Sequence, residues 1–158
     1  MLFIMCLINY LCYNFNVMYM ENNFVTDIFE LAKYSFDLDE VPVGAVVVKD
    51  NLIIGKGYNT REKDNLITGH AELMAINEAC KNIGDWRLDE CDLYVTLRPC
   101  MMCTGAIVDA RIRNVYYLCD KTNVCYNCND IVFYKIGNVD IENKYIKLLK
   151  LFFEKKRN

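Results

Sequence analysis

The chain has 158 residues, of which 54% are hydrophobic and 25% are charged. This length is enough to bury the core of one domain, and the hydrophobic content excludes disorder for most of the chain. The net charge of −3 argues against a generally basic nucleic-acid-binding protein, so any nucleic-acid site has to be a local patch. The nine cysteines, an odd number, indicate a reduced cytoplasmic protein rather than a disulfide-bonded secreted one.

Residues 1–20 carry no charged side chain and form an apolar run about long enough to span a bilayer. No Lys or Arg precedes the run and no Ala-x-Ala-like cleavage site follows it, which disfavours a signal peptide. We interpret this segment as an apolar extension or a mis-assigned start, with an extra packed helix or a membrane anchor as the alternatives. Residues 21–158 are then expected to form a single domain, and no membrane association is expected.

Hydrophobic periodicity and turn residues predict alternating strands and helices after residue 22. Pro42 prevents the first helix from continuing, and the β-branched run at 43–48 predicts a strand buried on both faces. Asp50 and Asn51 supply the turn of a hairpin, and Gly84 ends a helix. In chain order we predict helix 23–36, strand 43–48, strand 52–59, a polar loop at 60–67, helix 70–82, strand 93–97, helix 100–110, strand 114–118, strand 131–136 and helix 140–155. This alternation indicates an α/β domain with helices covering a central sheet.

The chemistry-bearing residues are concentrated in two short segments. His70 is the only histidine of the chain, and Cys100 and Cys103 form a Cys-x-x-Cys pair at the predicted start of a helix. These side chains supply three zinc ligands and leave a fourth position for water, as in catalytic rather than structural zinc sites. Glu72, two residues after the histidine, is a candidate to move the protons of that water.

Each half of this pattern alone has an ordinary explanation. A lone Cys-x-x-Cys pair could be a redox pair or a chance spacing among nine cysteines, and a lone histidine is more often packed or exposed. The combination of His-x-Glu with Pro-Cys-x-x-Cys is much more specific, and it predicts one zinc ion per chain.

The same combination is the signature of the zinc-dependent nucleobase deaminases. In further segments the chain resembles the bacterial tRNA-specific adenosine deaminases, within the cytidine and deoxycytidylate deaminase superfamily. Those segments are Glu40–Val48, Gly57–Asn59, His70–Glu72, Trp86–Leu88, Tyr94–Leu97 and Gly105–Ile112. The resemblance extends from about Asn23 to Leu118 and is weaker at Leu148–Arg157. It implies a three-layer α/β/α fold of the cytidine-deaminase type, with a mixed central sheet of about five strands.

The resemblance also implies a mechanism. Zinc held by His70, Cys100 and Cys103 acidifies a water molecule, so that hydroxide is available near neutral pH. Glu72 takes the proton of that water, delivers it to the ring nitrogen of the base, and then to the ammonia that leaves.

The implied substrate is the adenosine at the wobble position, A34, of a tRNA, which is converted to inosine. Asn59 is expected to hydrogen-bond the flipped-out base, although a turn residue is the alternative interpretation. Val43 and the backbone of Ala71 are expected to line its pocket. Relatives are homodimers, so the resemblance implies a cytoplasmic homodimer that binds the tRNA anticodon arm.

Several features depart from the family pattern or leave its substrate open. Arg98 stands where the family usually has an acidic residue, and Met101 where proline is frequent. The segment 119–130 is shorter than the family loop; within it, Cys125 and Cys128 suggest a second metal site, but free thiols are favoured because no second histidine exists. Six basic residues near the C-terminus could contact RNA phosphates or form an ordinary solvated helix face. These are Lys144, Lys147, Lys150, Lys155, Lys156 and Arg157.

Two other functions remain open. A deaminase of a free base or nucleotide, such as guanine, cytosine or deoxycytidylate, would carry the same zinc motif, although the Val-Pro-Val-Gly-Ala and Trp-Arg-Leu segments favour tRNA. A non-catalytic, zinc-stabilised RNA-binding subunit could dispense with Glu72, which is present. A Ser-His-Asp hydrolase is disfavoured because Ser35 is the only serine.

Overall fold

The computed structural model describes residues 24–121 and 130–157. Its centre is a five-stranded sheet with the strand order β2-β1-β3-β4-β5. The strands are β1 (Gly44–Lys49), β2 (Leu52–Tyr58), β3 (Asp92–Leu97), β4 (Asn114–Cys119) and β5 (Val132–Lys135). The helices are α1 (24–37), α2 (Arg61–Asp64), α3 (Ala71–Ile83), α4 (Met101–Asp109) and α5 (Val139–Arg157).

The sheet is mixed. β1 pairs with β2 and with β3 in antiparallel orientation, whereas the β3–β4 and β4–β5 pairs are parallel. Asp50 and Asn51 form the β1–β2 turn with φ values of 50° and 62°. These left-handed conformations are typical of two-residue hairpin turns, because the twist of such a turn matches the twist of the two strands that it joins. The predicted hairpin is therefore confirmed. The parallel β3–β4 pair needs a crossover connection, and α4 provides it.

Helices cover both faces of the sheet because alternate residues of each strand point in opposite directions. One face packs against α3 and α4 in a core cluster that includes Val47 and Ala75. The opposite face packs against α1, for example through Val46 and Ile28, and α5 packs beside α1 and β4 through Tyr145. Five of the six β1 residues are buried, so the prediction of a strand covered on both faces is confirmed.

β2 and α3 approach each other closely at Gly57. A Cβ atom there would lie 2.5 Å from the backbone nitrogen of Ala75 and closer still to the carbonyl oxygen of Ala71, whereas real Cβ atoms keep at least 3.0 Å. The absence of a side chain therefore lets the first turn of α3 lie directly on β2. At its other end α3 terminates at Gly84, which has a φ of 77°, as predicted.

One element differs from the prediction. The predicted polar loop at 60–67 is wrong in part, because the short helix Arg61–Asp64 lies within it. The backbone N–H of Asp64 donates to the carbonyl oxygen of Thr60 at 2.9 Å, which closes this single turn. None of its four residues is buried, so the turn has no apolar periodicity by which the sequence could reveal it.

The other predicted helices and strands begin and end within two residues of the observed bounds. Residues 1–20 and the pair Cys125 and Cys128 lie outside the described residues. Three interpretations therefore stay predictions: that 1–20 is an extension, that 21–158 is a single domain, and that the two cysteines are free thiols. In the part of the chain that the structure describes, no helix combines the length and hydropathy needed to cross a membrane.

Candidate active site

The three candidate metal ligands come from the starts of two helices. His70 and Cys100 are the N-cap residues of α3 and α4, and each has an extended backbone just before the first helical turn. Cys103 lies in the first turn of α4, so its side chain projects on the same side as that of Cys100. The partial positive charge of a helix N-terminus also favours the thiolate form, which is the form that binds metals.

The ligand atoms of this trio lie at mutual distances that suit one zinc ion. His70 Nδ1 is 3.6 Å from Cys100 Sγ and 3.4 Å from Cys103 Sγ, and the two sulfur atoms are 3.6 Å apart. Zinc bonds of about 2.3 Å to sulfur and about 2.0 Å to nitrogen put neighbouring tetrahedral ligands roughly 3.5–3.8 Å apart. The trio therefore fits zinc in both donor type and spacing, and among the described residues no other His, Cys, Asp and Glu side chains form such a group.

Contacts within the trio shift the pKa values of its two thiols in opposite directions. The hydrogen bond with Cys103 lowers the pKa of the Cys100 thiol to about 3, with His70 as a further stabilising neighbour. The same hydrogen bond, together with burial, raises the pKa of Cys103. The interaction with Cys100 raises the pKa of His70. Cys100 is thus the more acidic thiol of the pair, and both sulfur atoms would bind a cation as thiolates.

Glu72 is the second residue of α3 and is only 4% exposed. Its side chain borders the same cavity as His70 and Cys100, so it lies beside the trio. Burial raises the pKa of Glu72, because the charged form loses its hydration. A carboxyl group in this position is chemically suited to accept and return a proton next to a bound metal.

A cavity of about 260 Å³ opens onto this group. Its wall includes Glu72 and the predicted pocket residues Val43 and Asn59. Ala71, the third predicted pocket residue, is fully buried and is not part of that wall, because it packs in the core cluster between α3 and the sheet. The other wall residues are Val41, Arg61, His70, Leu97, Arg98, Cys100, Lys121 and Phe153.

Asn59 is held by both its side chain and its backbone. Its Nδ2 donates to Glu40 Oε2 at 2.9 Å, and its backbone N–H donates to the carbonyl oxygen of Val43 at 3.2 Å. Ser35 donates its hydroxyl to the Asn59 carbonyl oxygen at 3.1 Å. Glu40 also accepts a hydrogen bond from the backbone N–H of Lys63 at 2.6 Å. In the sequence Glu40 only ends an acidic stretch, so it was not identifiable as a site residue. In the structure its complete burial identifies it as part of the site.

Part of the cavity wall is positively charged, although the chain as a whole is acidic. Arg61, Arg98 and Lys121 all contribute to the wall. The Arg98 guanidinium lies 4.8 Å from the ring centre of Phe133 and 5.3 Å from that of Tyr117. Its Nη1 is 3.6 Å from Asp120 Oδ1. The position at which the resemblance implies an acidic residue therefore carries a cation at the cavity wall.

Two of the six basic residues near the C-terminus form ion pairs. Lys155 Nζ lies 2.9 Å from Asp39 Oδ1, and Lys156 Nζ lies 2.7 Å from Asp39 Oδ2, on an exposed surface. The hydrogen bonds from Lys156 and Lys155 lower the pKa of Asp39. Contact between RNA and this group of basic residues stays a prediction.

A family model of the MafB19-like deaminases matches residues 20–157. The chain belongs to this deaminase family. The predicted resemblance to tRNA-specific adenosine deaminases is confirmed by relatives of that name. The one from Streptococcus pyogenes serotype M18 (strain MGAS8232) is 49% identical over 97 residues, which are 61% of this chain and 61% of that protein. The chain thus spans about three fifths of that relative's length. The one from Buchnera aphidicola subsp. Baizongia pistaciae is 40% identical over 139 residues, covering 80% of this chain and 84% of that protein.

Two solved structures are similar over most of their own length. One comes from a study of A-to-I editing by tRNA:A34 deaminases at the wobble position of transfer RNA. It is 35% identical with a TM-score of 0.65, and the match covers 72% of this chain and 97% of that chain. Guanine deaminase from Bacillus subtilis is 31% identical with a TM-score of 0.60, and the match covers 80% of this chain and 91% of that chain. The predicted three-layer fold with a mixed five-stranded sheet, of the cytidine-deaminase type, is therefore confirmed.

Proposed function

We propose that the chain is a zinc-dependent hydrolase that converts adenosine to inosine at the wobble position, A34, of tRNA. The observation that carries this proposal is the trio of His70, Cys100 and Cys103 beside the buried Glu72, at the wall of a cavity. Identities of 49% and 40% to relatives named tRNA-specific adenosine deaminase support the choice of substrate.

In the proposed reaction His70, Cys100 and Cys103 hold one zinc ion per chain. Zinc bound there would lower the pKa of a water molecule to about 7 and so supply a nucleophile at neutral pH. The Glu72 carboxylate accepts a proton from the water that adds to C6 of the purine, and it donates this proton to the neighbouring ring nitrogen. Glu72 next takes the proton of the hydroxyl group that is now on C6 and passes it to the amino group; as the bond between C6 and the amino nitrogen breaks, inosine and ammonia form.

The cavity wall supports a nucleotide substrate. Asn59 supplies a hydrogen-bonding amide for the base, and Val43 supplies an apolar contact beside it. The cationic side chains of Arg61, Arg98 and Lys121 suit the phosphate groups that flank a base in RNA, and a free base has no such groups.

The proposal extends to assembly and location. We expect a homodimer that binds the tRNA anticodon arm in the cytoplasm, as in the resemblance stated above. The cysteines in the part of the chain that the structure describes are free thiols, which fits a reducing compartment. Light scattering during size-exclusion chromatography would measure the mass of the assembly, and a monomer at micromolar concentration would contradict the dimer.

Guanine deamination is the second candidate, because guanine deaminase from Bacillus subtilis is similar at 31% identity with a TM-score of 0.60. The trio and Glu72 suit that reaction equally well, since it is also a hydrolytic deamination. The basic wall favours tRNA over a free base. A non-catalytic RNA-binding subunit is less well supported, because Glu72 is present and buried beside the trio.

The deciding experiment supplies the zinc-loaded protein with a tRNA that carries A34, the same tRNA with G34, and free guanine, cytosine and deoxycytidylate. Mass spectrometry of the nucleosides should detect inosine only from the first tRNA. Glu72→Gln should keep its zinc, while turnover falls by about 10²–10⁴-fold. Glu78→Gln, on the exposed face of the same helix, is the matched control and should turn over normally. Deamination of guanine alone would replace the proposal by its alternative, and no deamination by zinc-loaded protein would refute it.

A further inference from the structure

Glu40 is fully buried, although acidic side chains are rarely buried unless their charge is satisfied. Two hydrogen bonds satisfy it: Oε2 accepts from Asn59 Nδ2 at 2.9 Å, and Oε1 accepts from the backbone N–H of Lys63 at 2.6 Å. Each carboxylate oxygen is thus committed to a different donor. Ser35, also fully buried, donates its hydroxyl to the carbonyl oxygens of Val41 and Asn59, at 2.9 Å and 3.1 Å, and so holds the backbone on both sides of the pair.

This arrangement decides which end of the Asn59 amide faces the carboxylate. A carboxylate offers only acceptors, so the atom opposite Glu40 has to be the amide nitrogen rather than the amide oxygen. The carboxamide then presents Oδ1, an acceptor, away from Glu40, and Asn59 lines the cavity beside Glu72. Turning the amide by 180° would bring two oxygen atoms together in a buried site, which is strongly unfavourable.

We propose that Glu40 is a positioning residue that locks the Asn59 amide with its oxygen towards the cavity. The cavity therefore selects a ligand that presents a hydrogen-bond donor at Asn59, and in an adenosine nucleotide this donor is the 6-amino group or a ribose hydroxyl group. The role of this donor in binding a substrate base rests on the proposed function. The lock on the amide does not, because it follows from the two hydrogen bonds of Glu40 alone.

A purely structural role for Glu40 is the competing explanation. Through Lys63 the carboxylate ties α2 to the turn that follows α1, so its loss could simply loosen that region. A structural role predicts lower stability and less folded protein. A positioning role predicts an altered KM or kcat in protein that is still folded, and a rescue that depends on the hydrogen-bonding polarity at position 59.

Glu40→Gln separates these explanations, because the new amide has one acceptor and one donor group. The Lys63 N–H requires the oxygen, so the NH₂ group faces Asn59, whose amide has to turn and present a donor to the cavity. We expect kcat/KM on the A34 tRNA to fall about 10- to 100-fold, the equivalent of one lost hydrogen bond and a buried mismatch. Adding Asn59→Asp to this variant places one carboxylate oxygen opposite the new amide at position 40 and the other towards the cavity. The double variant should therefore recover at least tenfold of the lost kcat/KM.

Glu78→Gln is the matched control. Glu78 Oε2 also accepts a backbone N–H, that of Lys56 at 2.6 Å, but Glu78 is exposed and outside the cavity wall. Its kcat/KM should stay within about twofold of the wild-type value. Circular dichroism and urea unfolding of each variant show whether the protein being assayed is folded.

A readout independent of activity is the side-chain amide of Asn59 in ¹⁵N NMR spectra of the full chain. In the wild type one amide proton is bonded to a buried carboxylate, so it should exchange slowly with solvent; in Glu40→Gln it should exchange much faster. If the wild type deaminates nothing, the proposed function fails, but these exchange rates still decide whether Glu40 locks the amide. Unchanged exchange in Glu40→Gln, or an activity loss that Asn59→Asp does not recover, would overturn the proposal.

Discussion

The contact between β2 and the first turn of α3 makes Gly57→Ala a direct test of what positions the trio of His70, Cys100 and Cys103, which we call the metal trio. Ala71 is the first residue of α3, so His70 and Glu72 lie on either side of it. A Cβ at position 57 would lie 2.5 Å from the backbone nitrogen of Ala75, and closer to the carbonyl oxygen of Ala71. Because both neighbours are backbone atoms, neither can rotate away, and the helix itself has to move.

The size of that movement follows from the distances. Real Cβ atoms keep at least 3.0 Å, so the contact with Ala75 at 2.5 Å demands a shift of about 0.5 Å, and the shorter approach to Ala71 demands more. Overpacking of this kind costs about 1–3 kcal/mol of the free energy of unfolding. A displacement of catalytic groups by about 1 Å lowers turnover roughly 10²-fold. Gly57→Ala should therefore reduce both stability and activity, and weaken zinc binding through His70.

Urea unfolding, zinc content and turnover measured on the same preparation test this reasoning. The matched control is Gly105→Ala, in α4, where an added Cβ would meet no atom within 4 Å. Replacing a glycine in a helix by alanine without a clash should stabilise the protein by about 0.5–1 kcal/mol. If Gly57→Ala unfolds at the wild-type urea concentration and keeps full zinc and turnover, the close packing of α3 on β2 is refuted.

Three further changes test other contacts. Cys103→Ala removes a ligand of the trio, so mass spectrometry of the metal should find far less than one zinc per chain; nearly stoichiometric zinc would contradict the assignment. Tyr145→Phe removes a buried hydrogen bond to the Pro42 carbonyl oxygen, at 2.8 Å, and should lower the free energy of unfolding in urea by about 1–2 kcal/mol. Hydrogen bonds from Arg87 hold the pKa of Asp85 at about 2, below its ordinary value of 3.8. The stabilisation of the fold by this ion pair is therefore fully present above pH 3.8 and is lost as the pH falls through 2. An NMR titration of Asp85 should give this lowered pKa, and in Arg87→Ala the pKa of Asp85 should return towards 3.8.

The metal trio could be predicted from the sequence because its chemistry is concentrated in short motifs. The chain has one histidine and two Cys-x-x-Cys pairs, and only the pair Cys100 and Cys103 follows a proline, Pro99, that marks a helix start. Local patterns also account for the hairpin, since Asp50 and Asn51 adopt the left-handed conformations that its two-residue turn requires. In each case a short motif identifies the residues, although the folded chain has to bring His70 to cysteines 30 and 33 positions away.

The parts that could not be predicted depend on contacts distant in sequence. Glu40 is paired with Asn59, which lies 19 positions later, and with Lys63, which lies 23 positions later. In the sequence Glu40 has the appearance of an exposed acid, and only the folded chain buries it.

The two parts of the site are held by different forces, so their variants should fail in different ways. The metal trio depends on backbone packing, and a disturbed α3 should lower zinc content and with it the turnover of every substrate. The Glu40–Asn59 pair depends on hydrogen-bonding polarity, and its variants should keep zinc while the preference among bases changes. Under the proposed function, we expect substrate choice to follow the buried polar pair and the basic wall around Arg98, whereas the trio would determine only whether deamination occurs. A variant of the pair that lost zinc in proportion to its activity would contradict this division.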